Sequence, residues 1–246
     1  MFHAKRPRSA IPFFLVTLFL TVSAPLSSLY AATPSDSVVA NHVADLLYDK
    51  FKPEGLSVTV RDSRAYAEMK GAVISDIRID TMRLDALLVN LDKPLVNDVD
   101  SLASLIGFSR GELVLAEKDV NDFFKKNDTK GFSKLVFDFT PKGFLAKGIF
   151  SADFIVTFRI RLAATGFLAL KSDGVHLDKT SIFVENIKQP DSLTERIVNR
   201  INPLLEWRDI PFKVEFSKIT MDEEATRMTG HPKKLEAGFT AVRGAR

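Results

Sequence analysis

The 246-residue chain has no cysteine, one tryptophan, three tyrosines and four histidines. Without cysteine, no disulfide can staple the fold and no thiol can carry a lipid, so a packed core must hold the chain together. Too few histidines remain at ligand spacing for a structural zinc site: His3 lies in the leader, and His42, His176 and His231 are far apart. Asp98, Asp100 and Glu112 do not follow a calcium-loop pattern. Asp222-Glu223-Glu224 reads as a solvated turn. No metal or cofactor is expected. A surplus of charge is lacking too. The chain has 34 Lys+Arg against 31 Asp+Glu, and Lys5, Arg6 and Arg8 account for the whole excess, so the composition gives no support to nucleic-acid binding.

Those three cations precede an apolar stretch from Ile11 to Ala24, with small residues at Ala31 and Ala32. Residues 1–31 have the layout of a secretory signal and are short for a membrane span. The expectation is export to the periplasm or cell envelope, with an uncleaved, anchoring leader as the alternative because Leu29 is not small. Residues 36–230 read as one domain, without linker or repeat. Residues 231–246 read as a loose basic tail.

Phenylalanine is what the chain has in quantity. Nine of its twenty lie between Phe132 and Phe183. Around them apolar and polar residues alternate, as in Phe154, Val156, Phe158, Ile160 and Leu162, the period of a strand with one dry face. The reading is a first helix capped by Ser35-Asp36-Ser37, carrying Val39, Val43, Leu46, Leu47 and Phe51 on one face and stopped by Lys52-Pro53-Glu54-Gly55. Strands over 56–61, 72–79 and 82–91, a loop or short helix over 96–108, a strand over 112–116 and a second helix over 117–126 come next. A meander of strands over 134–140, 144–150, 153–165, 167–171 and 175–187 follows. A third helix is opened by a Ser192-x-x-Glu195 capping box, and strands over 212–221 and 224–228 close the domain. Helices and strands do not alternate, so the expected class is α+β: a long curved antiparallel sheet wrapped against about three helices, with an apolar groove or tunnel.

Two segments carry a resemblance. Gly111-Glu-Leu-Val-Leu-Ala-Glu-Lys-Asp-Val-Asn-Asp-Phe-Phe and Ile201-Asn-Pro-Leu-Leu-Glu-Trp-Arg-Asp-Ile-Pro-Phe-Lys-Val-Glu-Phe, with Gly230 after Met228, resemble the strand-then-helix and the Asn-Pro step into a final strand of the LmeA family of envelope phospholipid-binding proteins. The resemblance spans about Phe51 to Gly230. It implies a tubular lipid-binding fold, a phospholipid ligand, an envelope location and no catalytic residues.

The residues give a parallel expectation: a non-catalytic protein holding acyl chains in an apolar channel, for storage, presentation or transfer. The expected lining is Leu135, Phe137, Phe139, Phe154, Val156, Phe158, Ile160, Leu162, Val175, Leu177, Phe183, Val214 and Phe216. Each of these equally suits a core packed on the helices. A phosphate belongs at the mouth, near cations. Lys125, Lys126 and Lys130 around the second helix's end, with Arg196 and Arg200 on the third, are the candidates for headgroup or membrane contact, although cations also suit helix C-termini. Trp207 is either an interfacial anchor or packed core. The alternative function is a structural or assembly factor of the envelope with a solid interior. A third reading, an esterase using Ser109, rests on Gly107-Phe-Ser-Arg-Gly111; that motif needs a strand before the serine and a helix after it, and here a strand follows.

Overall fold

The structure, a computed structural model, describes residues 34–126, 131–153 and 157–244, without the side chains of 152–158. Residues 1–31, read above as a secretory leader, lie outside the described residues. Residues 32–246 form one compact unit.

Chain order is α1 (Asp36–Phe51), β1 (Gly55–Arg61), β2 (Arg64–Ile74), β3 (Ile77–Leu88), α2 (Leu102–Leu105), β4 (Ile106–Ala116) and α3 (Glu117–Lys126). Then come β5 (Phe132–Thr140), β6 (Gly143–Asp153), β7 (Thr157–Leu170), β8 (Gly174–Val184), β9 (Ile187–Lys188), α4 (Asp191–Val198) and β10 (Leu205–Glu206). The chain finishes with β11 (Val214–Glu215), β12 (Lys218–Met221), β13 (Ala225–Thr229) and β14 (Phe239–Gly244). The α+β class holds.

The strands make two sheets rather than one. The first runs β12-β13-β4-β3-β2-β1-β14, with β11 lying parallel to the start of β4; the second runs β10-β8-β7-β6-β5, with β9 beside β8. Three of the hairpins turn through two residues with positive φ, at Asp62-Ser63, Ser75-Asp76 and Glu185-Asn186. This is the turn that matches strand twist, and it usually carries glycine. Without glycine the turn at Ser75-Asp76 left no mark in the sequence, and the strand expected over 72–79 runs straight through it.

Helix α1 covers β1, β2 and β14, burying Val39, Val43, Leu46, Leu47 and Phe51 on one face. It ends where Lys52 turns left-handed ahead of Pro53. Helix α3 packs on β3 and β4 of the first sheet and β5 of the second, so it joins the two. Its acids, Glu117 and Asp119, sit in the first turn and Lys125 and Lys126 in the last, complementing the helix dipole. Asn121 and Glu117 close the free edge of β5: Phe137 N–H donates to Asn121 Oδ1 (2.7 Å), Asn121 Nδ2 donates to Phe137 O (2.8 Å), and Phe139 N–H donates to Glu117 Oε2 (2.6 Å). An edge strand needs such cover. Asn202, at a cis Asn202–Pro203 peptide, bonds Leu177 N–H and C=O on β8 in the same way.

Two expectations are corrected. The tail is not loose: residues 239–244 are β14, paired with β1 from Gly55↔Gly244 to Val60↔Phe239, and Arg243 Nε bonds Asp45 of α1 at 2.6 Å. Ser192 does not cap α4, which starts at Asp191 after Pro190 without a side-chain cap.

The core is continuous across both sheets. On the inner face of the meander, Phe137 lies 5.4 Å from Phe124 of α3, 5.5 Å from Phe144 and 6.5 Å from Phe139, ring centre to ring centre. Burying each phenylalanine contributes about 2 kcal/mol. The rings meet each other instead of surrounding space. The void they leave, bounded also by Ile197, Val198 and Ile201 at α4, measures about 20 Å³, too little for an acyl chain.

Candidate ligand cleft

The room lies elsewhere, in an open cleft of about 920 Å³. Its floor is Arg110 of β4, strand β11 and Gly230; its walls are the 170–172 turn, Trp207 and the segment from Ile210 to Ser217.

Local chemistry explains why that segment stays in place. Ser75 Oγ donates to Asp209 Oδ2 (2.6 Å) and accepts from Glu206 N–H (3.0 Å). Ser109 Oγ donates to Lys213 O (2.8 Å). Phe212 packs edge-on against Phe51 of α1 at 6.5 Å. Two glycines admit β11 to the floor. A Cβ on Gly111 would meet Val214 Cγ1 at 2.5 Å and Phe216 Cε1 at 2.8 Å, and one on Gly230 would overlap the Glu215 carbonyl oxygen. Gly230 N–H also donates to Gly111 O at 2.6 Å.

The chain's single tryptophan forms the apolar wall. Trp207 and Phe216 stack with ring centres 5.2 Å apart and planes 26° off parallel, and the indole N–H donates to Lys171 O (3.0 Å). Leu170, Ile210 and Val214 extend this wall. Arg110, Lys171 and Lys213 border it, all exposed, against Glu215. Arg110 leans over the Phe108 ring at 5.5 Å, and Lys171 lies 3.8 Å from Asp178. The cleft thus offers apolar surface and cations together.

Of the lining residues read from the sequence, Val214 and Phe216 are in this cleft. Leu135, Phe137, Leu162 and Leu177 bound the small interior void, and Phe139 and Val175 are buried. Ile160 is exposed, and Phe183 lies on the outer face of the second sheet. Phe154 and Val156 fall outside the described residues, and so does the side chain of Phe158. Among the candidate cations, Lys125, Lys126 and Arg196 are exposed on their helices, Arg200 sits over the Phe150 ring at 5.2 Å, and Lys130 lies outside the described residues. None of these four described cations reaches the cleft. The cations that do, Arg110, Lys171 and Lys213, sit far apart in sequence and only the fold gathers them. Trp207, with Val214 and Phe216, was the available signal.

In comparisons with known proteins, no family model, no curated protein and no solved structure matches this chain.

Ser109 does not have the setting of a nucleophile. It lies in mid-strand, paired with Ala86 and Val214, fully buried, its hydroxyl committed to a carbonyl. The sharp strand-to-helix turn the motif requires is not at this position. Among the described residues no group of three or more acidic or histidine side chains is arranged to hold a metal ion, and no helix is long and apolar enough to cross a membrane.

Proposed function

We propose that the protein binds an anionic amphiphile, a phospholipid or related envelope lipid, in the cleft at Trp207, without chemistry, for storage, presentation or transfer. The observation that carries this reading is the cleft's pairing of the Trp207–Phe216 stack with Arg110, Lys171 and Lys213. Its volume lies in the range of small-molecule sites. Methylenes against the aromatic wall gain up to about 0.8 kcal/mol each, so a partly seated chain gains several. The anionic headgroup stays at the open side, where the cations meet it without full desolvation. The resemblance to the LmeA family and the secretory layout of residues 1–31 support the same reading and an envelope location.

The site differs from a tunnel inside the Phe-rich meander, whose interior holds only about 20 Å³. That filled interior favours a second reading, a non-catalytic structural or assembly factor of the envelope.

A titration separates the two. Trp207 is the only tryptophan, so its emission reports the cleft alone. Lysophosphatidylglycerol is expected to shift that emission saturably, and lipid extracted from purified protein to appear by mass spectrometry. No co-purifying lipid and no saturable shift would leave the structural reading standing.

A further inference from the structure

We infer that the outer face of the second sheet is a docking surface for an anionic lipid bilayer. This face is turned away from the buried phenylalanines, and among the described residues no helix packs on it: α3 and α4 serve the opposite side. Cross-strand register puts Val136, Lys147, Ala163 and Phe183 in one row across four strands, and Ile149 beside Arg161 in the next. Lys134, the left-handed residue at the β5 bulge, joins them around a shallow depression of about 490 Å³. Arg159 precedes Arg161 by two positions and is exposed on the same face.

Two features of this patch together select the partner. Lys134, Lys147, Arg159 and Arg161 form no ion pair among the described residues. Among the described side chains, the acids near them are Glu185, at the rim, and Asp138, two residues beyond Val136. A surface charge without a partner is common, and Arg110 on the first sheet has none among the described residues, but Arg64, Arg78 and Arg83 on that sheet are each paired, Arg83 with both Glu68 and Glu112. The second feature is the apolar content between the cations. Val136 is 55% exposed, and Phe183 and Ile149 are half-buried. A soluble polyanion would satisfy the charges and leave those side chains in water. A leaflet of anionic lipid accepts both, with cations at the phosphates and short apolar groups just below.

This inference stands apart from the cleft, which shares no residue with the patch. The test is sedimentation of the full chain with vesicles of phosphatidylglycerol in phosphatidylcholine, referred to pure phosphatidylcholine. Each cation near an anionic surface is worth about fivefold in partition. The triple variant Lys134→Glu, Lys147→Glu, Arg161→Glu is expected to lose more than tenfold of the anionic preference. Val136→Ser with Phe183→Ser is expected to weaken binding at unchanged charge. Both sets are at least partly exposed, and thermal melting checks that each variant folds. Triple-variant binding equal to that of the unaltered protein overturns the inference. So does an apolar pair without effect while heparin competes fully, which would assign the face to a soluble polyanion. The Trp207 emission response to lysophosphatidylglycerol should be the same in all these variants, so failure of the patch and failure of the cleft are told apart.

Discussion

The Asn121 side chain pairs with both the N–H and the C=O of Phe137, at 2.7 and 2.8 Å, and so takes the place of the missing neighbour strand at the edge of β5. A carboxamide presents one acceptor and one donor side by side, as a backbone unit does. Asn121→Ala leaves both groups unpaired in a half-buried place and is expected to cost about 2 kcal/mol. The loss should appear as a lower melting temperature and faster hydrogen exchange at the Phe137 amide. Asn121→Asp, which retains the acceptor but not the donor, should fall between. Unchanged exchange at Phe137 in the alanine variant would refute the edge-closing role.

Gly230 lets the chain after β13 lie against β11. A methyl group there overlaps a backbone carbonyl oxygen, which cannot rotate away as a side chain can. Gly230→Ala is expected to displace β11, with a loss of about 1–3 kcal/mol and a changed Trp207 emission, because Phe216 follows β11 directly. A variant with unaltered emission and stability would show that the floor has slack.

Arg78 of β3 ties two elements. Its guanidinium donates to both Glu54 carboxylate oxygens (2.8 and 2.9 Å), beyond α1, and to Asp119 Oδ2 of α3 (2.9 Å). Asp119 is only 5% exposed, so Arg78→Leu strands a buried carboxylate, at a cost of about 2 kcal/mol. Arg78→Leu with Asp119→Asn should recover part of this. A melting temperature for the double variant below that of Arg78→Leu would contradict the assignment.

Glu54 gives the pH dependence. The hydrogen bond from Arg78, then its charge, hold the Glu54 carboxyl below the ordinary carboxylate range. A folded-state value below the unfolded one means that the contribution is present above about pH 4 and fades as pH falls through the folded value. Glu54 is exposed, so the contribution is small. The expected outcome is a stability gap between the unaltered protein and Glu54→Gln that is constant at neutral pH and closes in acid. A gap that widened in acid would reverse the sign and refute the pairing. Asp222, lowered by the N–H groups of Glu224 and Ala225, adds a loss of the same direction at the β12–β13 turn.

Much of the scaffold was legible along the chain. The apolar face of α1 and the span of α3 follow from periodicity and charge placement, and the meander from alternation broken at Pro141-Lys-Gly143 and Asp173-Gly174. Local chemistry specifies such elements, so a window of ten or so residues contains the information. The glycine-free hairpins were not legible, since Ser75-Asp76 and Asp62-Ser63 take positive φ only because the flanking strands pair. Nor was the place of 239–244, whose partner β1 lies 179 to 189 residues earlier, from Val60↔Phe239 to Gly55↔Gly244.

What the sequence determined by itself is an α+β chain without disulfides, with Phe-rich strands that must hide one face. Whether those rings enclose space or fill it depends on the distance at which α3 and α4 close over the sheet, and no residue pattern states that distance. The tertiary structure decided it: Phe124 and Ile197 come down onto the meander, and the interior closes. The open volume moved to where Arg110, Lys171 and the Trp207–Phe216 pair converge from three separate stretches. Convergence of that kind is a property of long-range packing, and it appears only once the chain has folded.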